Sequence, residues 1–474
     1  MVSWISTAYF LTKTVATLPV GQILTLYSTK RVYVSGILIF ELGSLLCAVS
    51  TSMPFLIVGR LIAGIGATTV NVAAIWLIAQ IARLEIRPIL FGMIALMETI
   101  ACTIGPIIGG AFSEKVTWRW CFYVNLPIGG LALAISYFMP GENAPKKASS
   151  DKTLAAKFLE IDWIGCLISS GMIIAFLFPL QLGGNTYPWK SASVITPLIL
   201  SAVGIASFLA WQRIKGARAI LPWSILRKSI LGSSFVSFWT YWALFDQIYY
   251  IPLWYQVQGR TALQSGIDTL PFLLSSCLAP VFAGLFSKKT GYYWPIMVIF
   301  PLLSSIGTGL MYTMGPASSR TRMIGYQIIS GIGTGATLQL PDVSIQAELA
   351  HESQLIPQAT GLMALVQGIG ALIGLAISAA VFLNQLTIDL RATAPFLSET
   401  VAKELQQSIA YIFTLPASEQ DLVVQAYIKS LNLVFIAQVP AGVLASLTSL
   451  TMIRNYNLKH RGRGAGSADE RMDA

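Results

Sequence analysis

Five ionisable side chains fall well inside apolar runs of this sequence: Lys13, Glu41, Arg60, Glu98 and Asp246. A charge in hydrocarbon costs at least a few kcal/mol, so each one marks function by default. A carboxylate that faces an aqueous cavity can take up a proton on one side and release it on the other as access alternates. Arginine does not readily lose its proton and must face a cavity or a carboxylate, so Arg60 is read as tuning a nearby acid or water. Glu98 precedes Gly105 by seven residues, two helical turns, and shares its face. Asp246 sits among Trp239, Tyr241, Trp242, Tyr249 and Tyr250. Arg60, Glu98, Asp246 and Glu41 are the proton-coupling candidates; Arg60 reads alternatively as a structural anchor, Glu98 as a polar packing residue, and Lys13 and Glu41 as snorkelling or structurally paired. Asp162, Asp268 and Asp342 lie near expected helix ends and read as terminal or interface residues. Trp76, Trp239, Trp242 and Tyr249, with Phe245, are candidates to line an apolar cavity for a flat or amphiphilic ligand. Each reads as readily as a lipid-facing or belt aromatic.

Other chemistries find few residues to work with. His351 and His460 are the only histidines, which disfavours a histidine-based metal site or triad. The Gly331-x-Gly333-x-Gly335 run lies inside an apolar helix with no preceding strand, and no phosphate-binding G-x-x-x-x-G-K-[ST] occurs. The five cysteines have no C-x-x-C spacing and read as small core residues. No metal or cofactor is expected. The net charge of +10 comes in short clusters between apolar runs, not as a basic stripe, so nucleic acid is not an expected partner.

The elements that must hold these residues follow from composition. The chain has 474 residues, 55% hydrophobic and 11% charged, against roughly 25% charged in a soluble domain. So few charges cannot dress a globule of this size, whereas lipid can replace water over most of a multi-span protein. Thirteen apolar stretches meet the length of a crossing helix: Trp4–Leu26, Val32–Val49, Phe55–Ile81, Ile89–Phe112, Cys121–Met139, Trp163–Leu182, Val194–Trp211, Ile230–Trp254, Thr269–Phe286, Trp294–Met314, Met323–Leu340, Thr360–Leu383 and Leu431–Ile453. The N-terminal stretch lacks a basic n-region and reads as a mature span, not a signal peptide. Of the 31 lysines and arginines, 20 fall on one side of this topology and 9 on the other. The positive-inside rule makes the richer side, with the C-terminal tail, cytoplasmic. Residues 345–357 fit poorly, because they should be cytoplasmic yet carry Glu348 and Glu352 and no lysine or arginine. Thirteen crossings also leave Met1 outside.

Three echoes run through the chain. Ala63-Gly64-Ile65-Gly66 matches Ser330-Gly331-Ile332-Gly333 at an offset of 267, and Ile104-Gly105-Pro106-Ile107-Ile108-Gly109 matches Ile369-Gly370-Ala371-Leu372-Ile373-Gly374 at 265. The turn Gly21…Lys30-Arg31 matches Gly284…Lys288-Lys289. Nearly constant offsets in chain order argue for duplicated halves. The expected organisation is a five-span bundle (1–140), a linker with two inserted spans (141–229), a six-span bundle (230–456) and a cytoplasmic tail (457–474). Small residues four apart let helices approach closely in lipid, which suits Gly105/Gly109 and Gly370/Gly374.

These residues resemble the major facilitator superfamily, in particular its fourteen-span drug:proton antiporters and the fungal toxin-efflux carriers among them, over nearly the whole chain. Gly105-Pro106-Ile107-Ile108-Gly109-Gly110 resembles the G-P-x-x-G-G antiporter motif. The stretch Trp118-Arg119-Trp120 to Asn125, Pro127 and Gly129-Gly130 resembles the W-R-W-x-F-x-x-N-x-P-x-G segment of the fourteen-span group, and Tyr249-Tyr250-Ile251-Pro252 to Gln256 its Y-Y-x-P-x-x-x-Q segment. Arg60 with Gly64 and Gly66 is similar to the fourth-helix arginine motif tied in the family to proton coupling. Gly21 to Arg31 falls at the family's gating loop, with Gly21, Lys30 and Arg31 as its candidates; Thr25 replaces the pattern's Asp and Ser28 its Gly.

The resemblance implies an all-α integral membrane protein of two pseudo-symmetric bundles with two inserted helices. It implies a monomeric secondary transporter that exports a small hydrophobic or amphiphilic compound in exchange for protons, most readily at the plasma membrane, with the vacuolar membrane as alternative. The family's first helix has no counterpart here, so the other reading is a truncated, non-transporting or sensor-like protein on the same scaffold. Residues 398–407 are expected to form a short amphipathic surface helix N-capped by Ser398.

Overall fold

The computed structural model describes residues 3–138, 154–183, 188–316, 318–395 and 398–460. The chain is all-α. The first part contains α1 (Ser3–Val15), α2 (Thr17–Leu26), α3 (Thr29–Ala48), α4 (Met53–Ile81), α5 (Arg87–Lys115), α6 (Trp120–Tyr123) and α7 (Asn125–Phe138). Next come α8 (Leu154–Glu160), α9 (Trp163–Leu182) and α10 (Ala192–Lys215). The remainder contains α11 (Lys228–Val257), α12 (Ala262–Thr290), α13 (Trp294–Met311), α14 (Arg320–Thr337), α15 (Leu340–Glu348), α16 (Ile356–Thr393), α17 (Glu399–Gln407) and α18 (Ala417–Met452).

Proline explains three interruptions. Its ring clashes with the carbonyl four residues back and it offers no N–H. Helix α1 ends at Val15, four before Pro19; α6 ends at Tyr123, four before Pro127; α14 ends at Thr337, four before Pro341. Among the described residues nine helical stretches are long and apolar enough to cross a membrane. The expected thirteen are thus not all confirmed as crossings. Trp4–Leu26 is divided into α1 and α2, and α11 and α14 dilute their apolar residues with serine, threonine and glutamine.

Packing reproduces the repeat contact by contact. In the first half α3 and α4 lie against each other because Gly43 admits the backbone of Ala63 and Gly66 that of Phe40. In the second half α13 and α14 do the same, with Gly307 on Ser330 and Gly333 on Ser304. Gly64 accommodates Thr12 and the Tyr9 carbonyl of α1, as Gly331 accommodates Ser275 and the Phe272 carbonyl of α12. Each pair is displaced by nearly the same offset, so α1–α2, α3 and α4 correspond to α12, α13 and α14. The halves meet along two seams, α5 on α12 and α2 on α16. Under the repeat these seams exchange roles, as a two-fold requires. Helices α9 and α10 pair with each other, and α9 touches α1, α2 and α16.

The basic loops gather at one end. There Arg227 pairs with Glu352 at 2.5 Å, and Arg454 with Glu348 at 3.7 Å. This accounts for the anomalous acidic segment: its carboxylates meet arginines from two other loops at the same end. The Leu458 N–H donates to the Gly291 carbonyl, which ties the start of the tail to the turn after α12; residues 461–474 lie outside the described residues. Two apolar clusters near this end span both halves. One joins Leu18, Leu24 and Trp76 to Ile345, Leu349 and Leu362; the other joins Ile75 and Phe91 to Ala279, Met297 and Val343. At the opposite end a third cluster belongs to the second half alone.

Candidate functional site

Glu98 stands on α5 about midway along its length, accessible to solvent although enclosed by protein on most sides. It lies within electrostatic reach of Lys13 on α1, which is also exposed, and of Asp342 on α15. Lys13 and Glu98 come from the first half and Asp342 from the second, so the three charges come together where the halves meet. Asp342 is 3% exposed, and its Oδ1 has no hydrogen-bond partner among the described residues. It occupies the first turn of α15, directly after the break imposed by Pro341. Burying a carboxylate without a full set of partners costs free energy, which the nearby helix N-terminus offsets only in part. The sequence places Asp342 near a helix end. The helix end is real, but it is buried against α5.

The other candidate charges sit elsewhere. Arg60 donates from Nε to the Ile5 carbonyl at 3.1 Å and lies over the Tyr9 ring, 4.2 Å from its centroid. A second ring, Phe122 of α6, lies 6.0 Å from the guanidinium, so its described partners are a carbonyl and an aromatic face of α1 and an aromatic face of α6. Glu41 lies against Gly129 of α7, where a β-carbon would strike its carboxylate. Asp246 is fully buried where α11 packs on α16, accepting from Trp242 Nε1 at 2.9 Å and Ser378 Oγ at 2.5 Å. Asp162 caps α9 by accepting from the Gly165 N–H at 3.1 Å. Asp268 pairs with Arg320 and Arg260 at the end remote from the basic loops.

Among the aromatics, Trp76 is buried in an apolar cluster that spans the halves, while Trp239 and Trp242 stack with centroids 5.7 Å apart on α11. Tyr249 lies farther along α11 and is exposed. Of the gating-loop residues, Gly21 faces the Pro357 carbonyl of α16, where a β-carbon would lie 2.9 Å from its oxygen. Lys30 donates to the Tyr137 carbonyl at 3.1 Å, and Arg31 is exposed. Thr25, standing where the family pattern has Asp, donates to the Gln22 carbonyl within its own turn. Arg119 reaches the Ser50 carbonyl at 2.9 Å and Asn125 reaches Ser44 Oγ at 3.1 Å, so the Trp118–Gly130 stretch braces α3.

The glycines of the two halves behave differently. Gly370 and Gly374 of α16 seat Phe238 and Trp242 of α11 with no space for a β-carbon. Their counterparts Gly105 and Gly109 on α5 meet nothing within 4 Å among the described residues. Pro106 and Gly110 belong to α5, but their surroundings lie outside the described residues.

Two sequence-duplicated bundles, seamed by α5 on α12 and α2 on α16, find their match in known proteins. The sequence pattern of the Major Facilitator Superfamily matches residues 1–375. The efflux pump aunC of Aspergillus niger is 36% identical over 398 residues, 84% of this chain and 75% of that protein. The MFS-type transporter astH of Aspergillus oryzae is 34% identical over 455 residues, 95% and 79% of the two chains. Among solved structures, the proton:xylose symporter XylE aligns with a TM-score of 0.60 at 12% identity, covering 96% of this chain and 86% of that one. The human organic anion transporter MFSD10 aligns at 0.56 and 12%, covering 94% and 83%. The repeat, the seams and the sequence likeness agree, and the chain belongs to the major facilitator superfamily.

Proposed function

We propose that this protein is a secondary exporter of a small hydrophobic or amphiphilic metabolite or toxin, driven by proton antiport through alternating access. The observation that carries the proton claim is the Lys13–Glu98–Asp342 set, in which a carboxylate of one half lies within electrostatic reach of a carboxylate of the other. Adding or removing one proton changes the electrostatic energy of bringing the halves together. Coupling then requires only that proton and substrate favour opposite-facing states. The names of the relatives, an efflux pump and an MFS-type transporter, support export.

The bundles 1–140 and 230–456 supply the rocking halves, joined by 141–229. The basic-loop end, with the tail from residue 457, is cytoplasmic, and the protein works as a monomer in the plasma membrane. Its cytoplasmic seal is the pair of apolar clusters that span the halves. The test is export from inside-out or whole-cell vesicles with and without a protonophore. Export that stops when the proton gradient collapses supports the reading, and export that continues unchanged removes it.

A further inference from the structure

At the end remote from the basic loops lies a cavity of about 920 Å³ whose lining does not include Lys13, Glu98 or Asp342. Tyr249, Tyr250 and Gln256 of α11 form one side of it, and α16 between Leu372 and Leu383 the other. These three α11 residues are conspicuous members of the Y-Y-x-P-x-x-x-Q segment, and no step of coupling uses them. Leu180 of the inserted helix α9 closes a third side, and Gln406 of α17 with Ser408 and Ile409 forms a roof. The roof is held in place: the Tyr427 hydroxyl donates to the Leu405 carbonyl, and Leu405 is 1% exposed. Thus the amphipathic helix expected at the surface forms as expected, capped by Ser398, but it docks onto the second half.

The lining specifies a ligand. No charged side chain among the described residues contributes to it. Phe382 lies 6.2 Å from Tyr250 and 5.9 Å from Tyr427 between ring centroids, a wall suited to a flat apolar body. Gln256 Nε2 donates to Ser265 Oγ at 3.1 Å and Gln406 Nε2 to Thr387 Oγ1 at 3.0 Å. Neither amide oxygen has a hydrogen-bond partner among the described residues, so both can accept from a guest. A phospholipid headgroup would bring a phosphate to a site that offers it no cation, whereas a neutral guest incurs no such desolvation cost. The volume falls in the range that takes a drug-sized molecule.

We infer that this cavity is a second binding site for the exported compound, selecting an uncharged, flat amphiphile with a hydrogen-bond donor at its polar end. The identification of the guest as cargo rests on the exporter reading above. The occupant lodges between the second half, the inserted helix and the α17 roof before release.

The test uses the full chain in dioleoylphosphatidylcholine nanodiscs and the fluorescent probe N-phenyl-1-naphthylamine, which is flat, neutral and carries one N–H. Saturable binding above empty nanodiscs is expected. Ala379→Trp, which fills the cavity, is expected to weaken it about tenfold or more, and the milder Ala379→Val several-fold. The double variant Gln256→Leu/Gln406→Leu is expected to weaken the probe about tenfold while leaving its N-methyl derivative, which has no N–H, unchanged. Absence of saturable binding, or equal affinity in both Ala379 variants and the parent, overturns the site. So does mass spectrometry showing a retained phospholipid that the probe does not displace. Export insensitive to a protonophore would defeat the antiport reading and leave this equilibrium measurement untouched, so the two failures are distinguishable.

Discussion

Gly284 of α12 meets the carbonyl of Pro88 in α5 so closely that a β-carbon at position 284 would overlap its oxygen. The other seam repeats the arrangement, with Gly21 of α2 against the Pro357 carbonyl of α16. The reciprocal glycines are also in place: Gly92 faces the Pro280 carbonyl, and Gly361 the Thr17 carbonyl. Both seams therefore close backbone to backbone, next to the apolar clusters that span the halves. Under the alternating-access proposal, closure of this kind stabilises one arrangement of the bundles and is lost when they rock apart.

It follows that Gly284→Val or Gly21→Val acts on this arrangement alone. Overpacking of a tight contact costs about 1–3 kcal/mol, which corresponds to a shift of roughly 5- to 150-fold between the two facing states. A cysteine placed at Ile345, buried in one of the shared clusters, should become reactive toward maleimide in a background lacking the native cysteines. Unchanged labelling in both glycine variants would show that the seams do not gate access.

The contrast between α16 and α5 gives a sharper test of the glycine motif. Gly374→Ala must push against Trp242 and is expected to destabilise the fold by about 1–3 kcal/mol. Gly109→Ala enters open space and is expected to change stability by less than about 0.5 kcal/mol. Thermal unfolding in detergent reads both. If Gly109→Ala also abolishes export, the loss reflects an approach to α5 in another state of the cycle; equal destabilisation by the two variants would refute the asymmetry.

Nine of the thirteen expected spans were legible because a crossing helix needs a long apolar run, and proline four residues past a helix end is visible in the same string. The duplicated halves were legible because Ala63–Gly66 and Ser330–Gly333 must each seat a neighbouring backbone, and only small residues allow it. The charges were not. Asp342 lies at a helix end, which the sequence takes for a membrane surface, yet folding brings that end against α5. Asp389 went unnoticed because the apolar run ends near Leu383 while α16 continues to Thr393. There Asp389 is buried and held by Lys429 at 2.7 Å and Ser430 at 3.0 Å. Glu352 was an anomaly until Arg227, 125 residues away, was placed beside it.

Arg227 Nη2 lies 2.5 and 2.6 Å from the two oxygens of Glu352, and this bond raises the guanidinium above its already high ordinary pKa. A cation raised on folding contributes fully at lower pH and loses its contribution only as pH climbs past the folded value, so the arginine side stays intact through neutral pH. Side chains 33% and 42% exposed make this a surface pair, worth about 0.2–1 kcal/mol. Glu352→Gln is expected to lower Tm by at most about 2 °C in low salt. The difference should vanish near 1 M salt, where screening acts within about 3 Å. A deficit that survives in salt would mean that Glu352 does more than pair with Arg227.

The coupling proposal makes its strongest demand on Glu98 and Asp342 together. If they form one unit with Lys13, removing the charge of either disables the unit, and removing both adds little, because residues that act jointly are non-additive. Glu98→Gln should reduce export driven by a pH gradient by on the order of a hundredfold, the scale seen when a required proton-transfer group is removed. Exchange of labelled for unlabelled substrate at equal pH should persist, since it needs rocking but no net proton movement. Asp342→Asn should behave alike, and Glu98→Gln/Asp342→Asn no worse than the more severe single variant. Losses that multiply in the double variant would mean that the two carboxylates act independently. Equal loss of gradient-driven export and of exchange would place Glu98 in substrate binding or folding, and the proton would then have to be carried elsewhere, with Asp246 on α11 the next residue to examine.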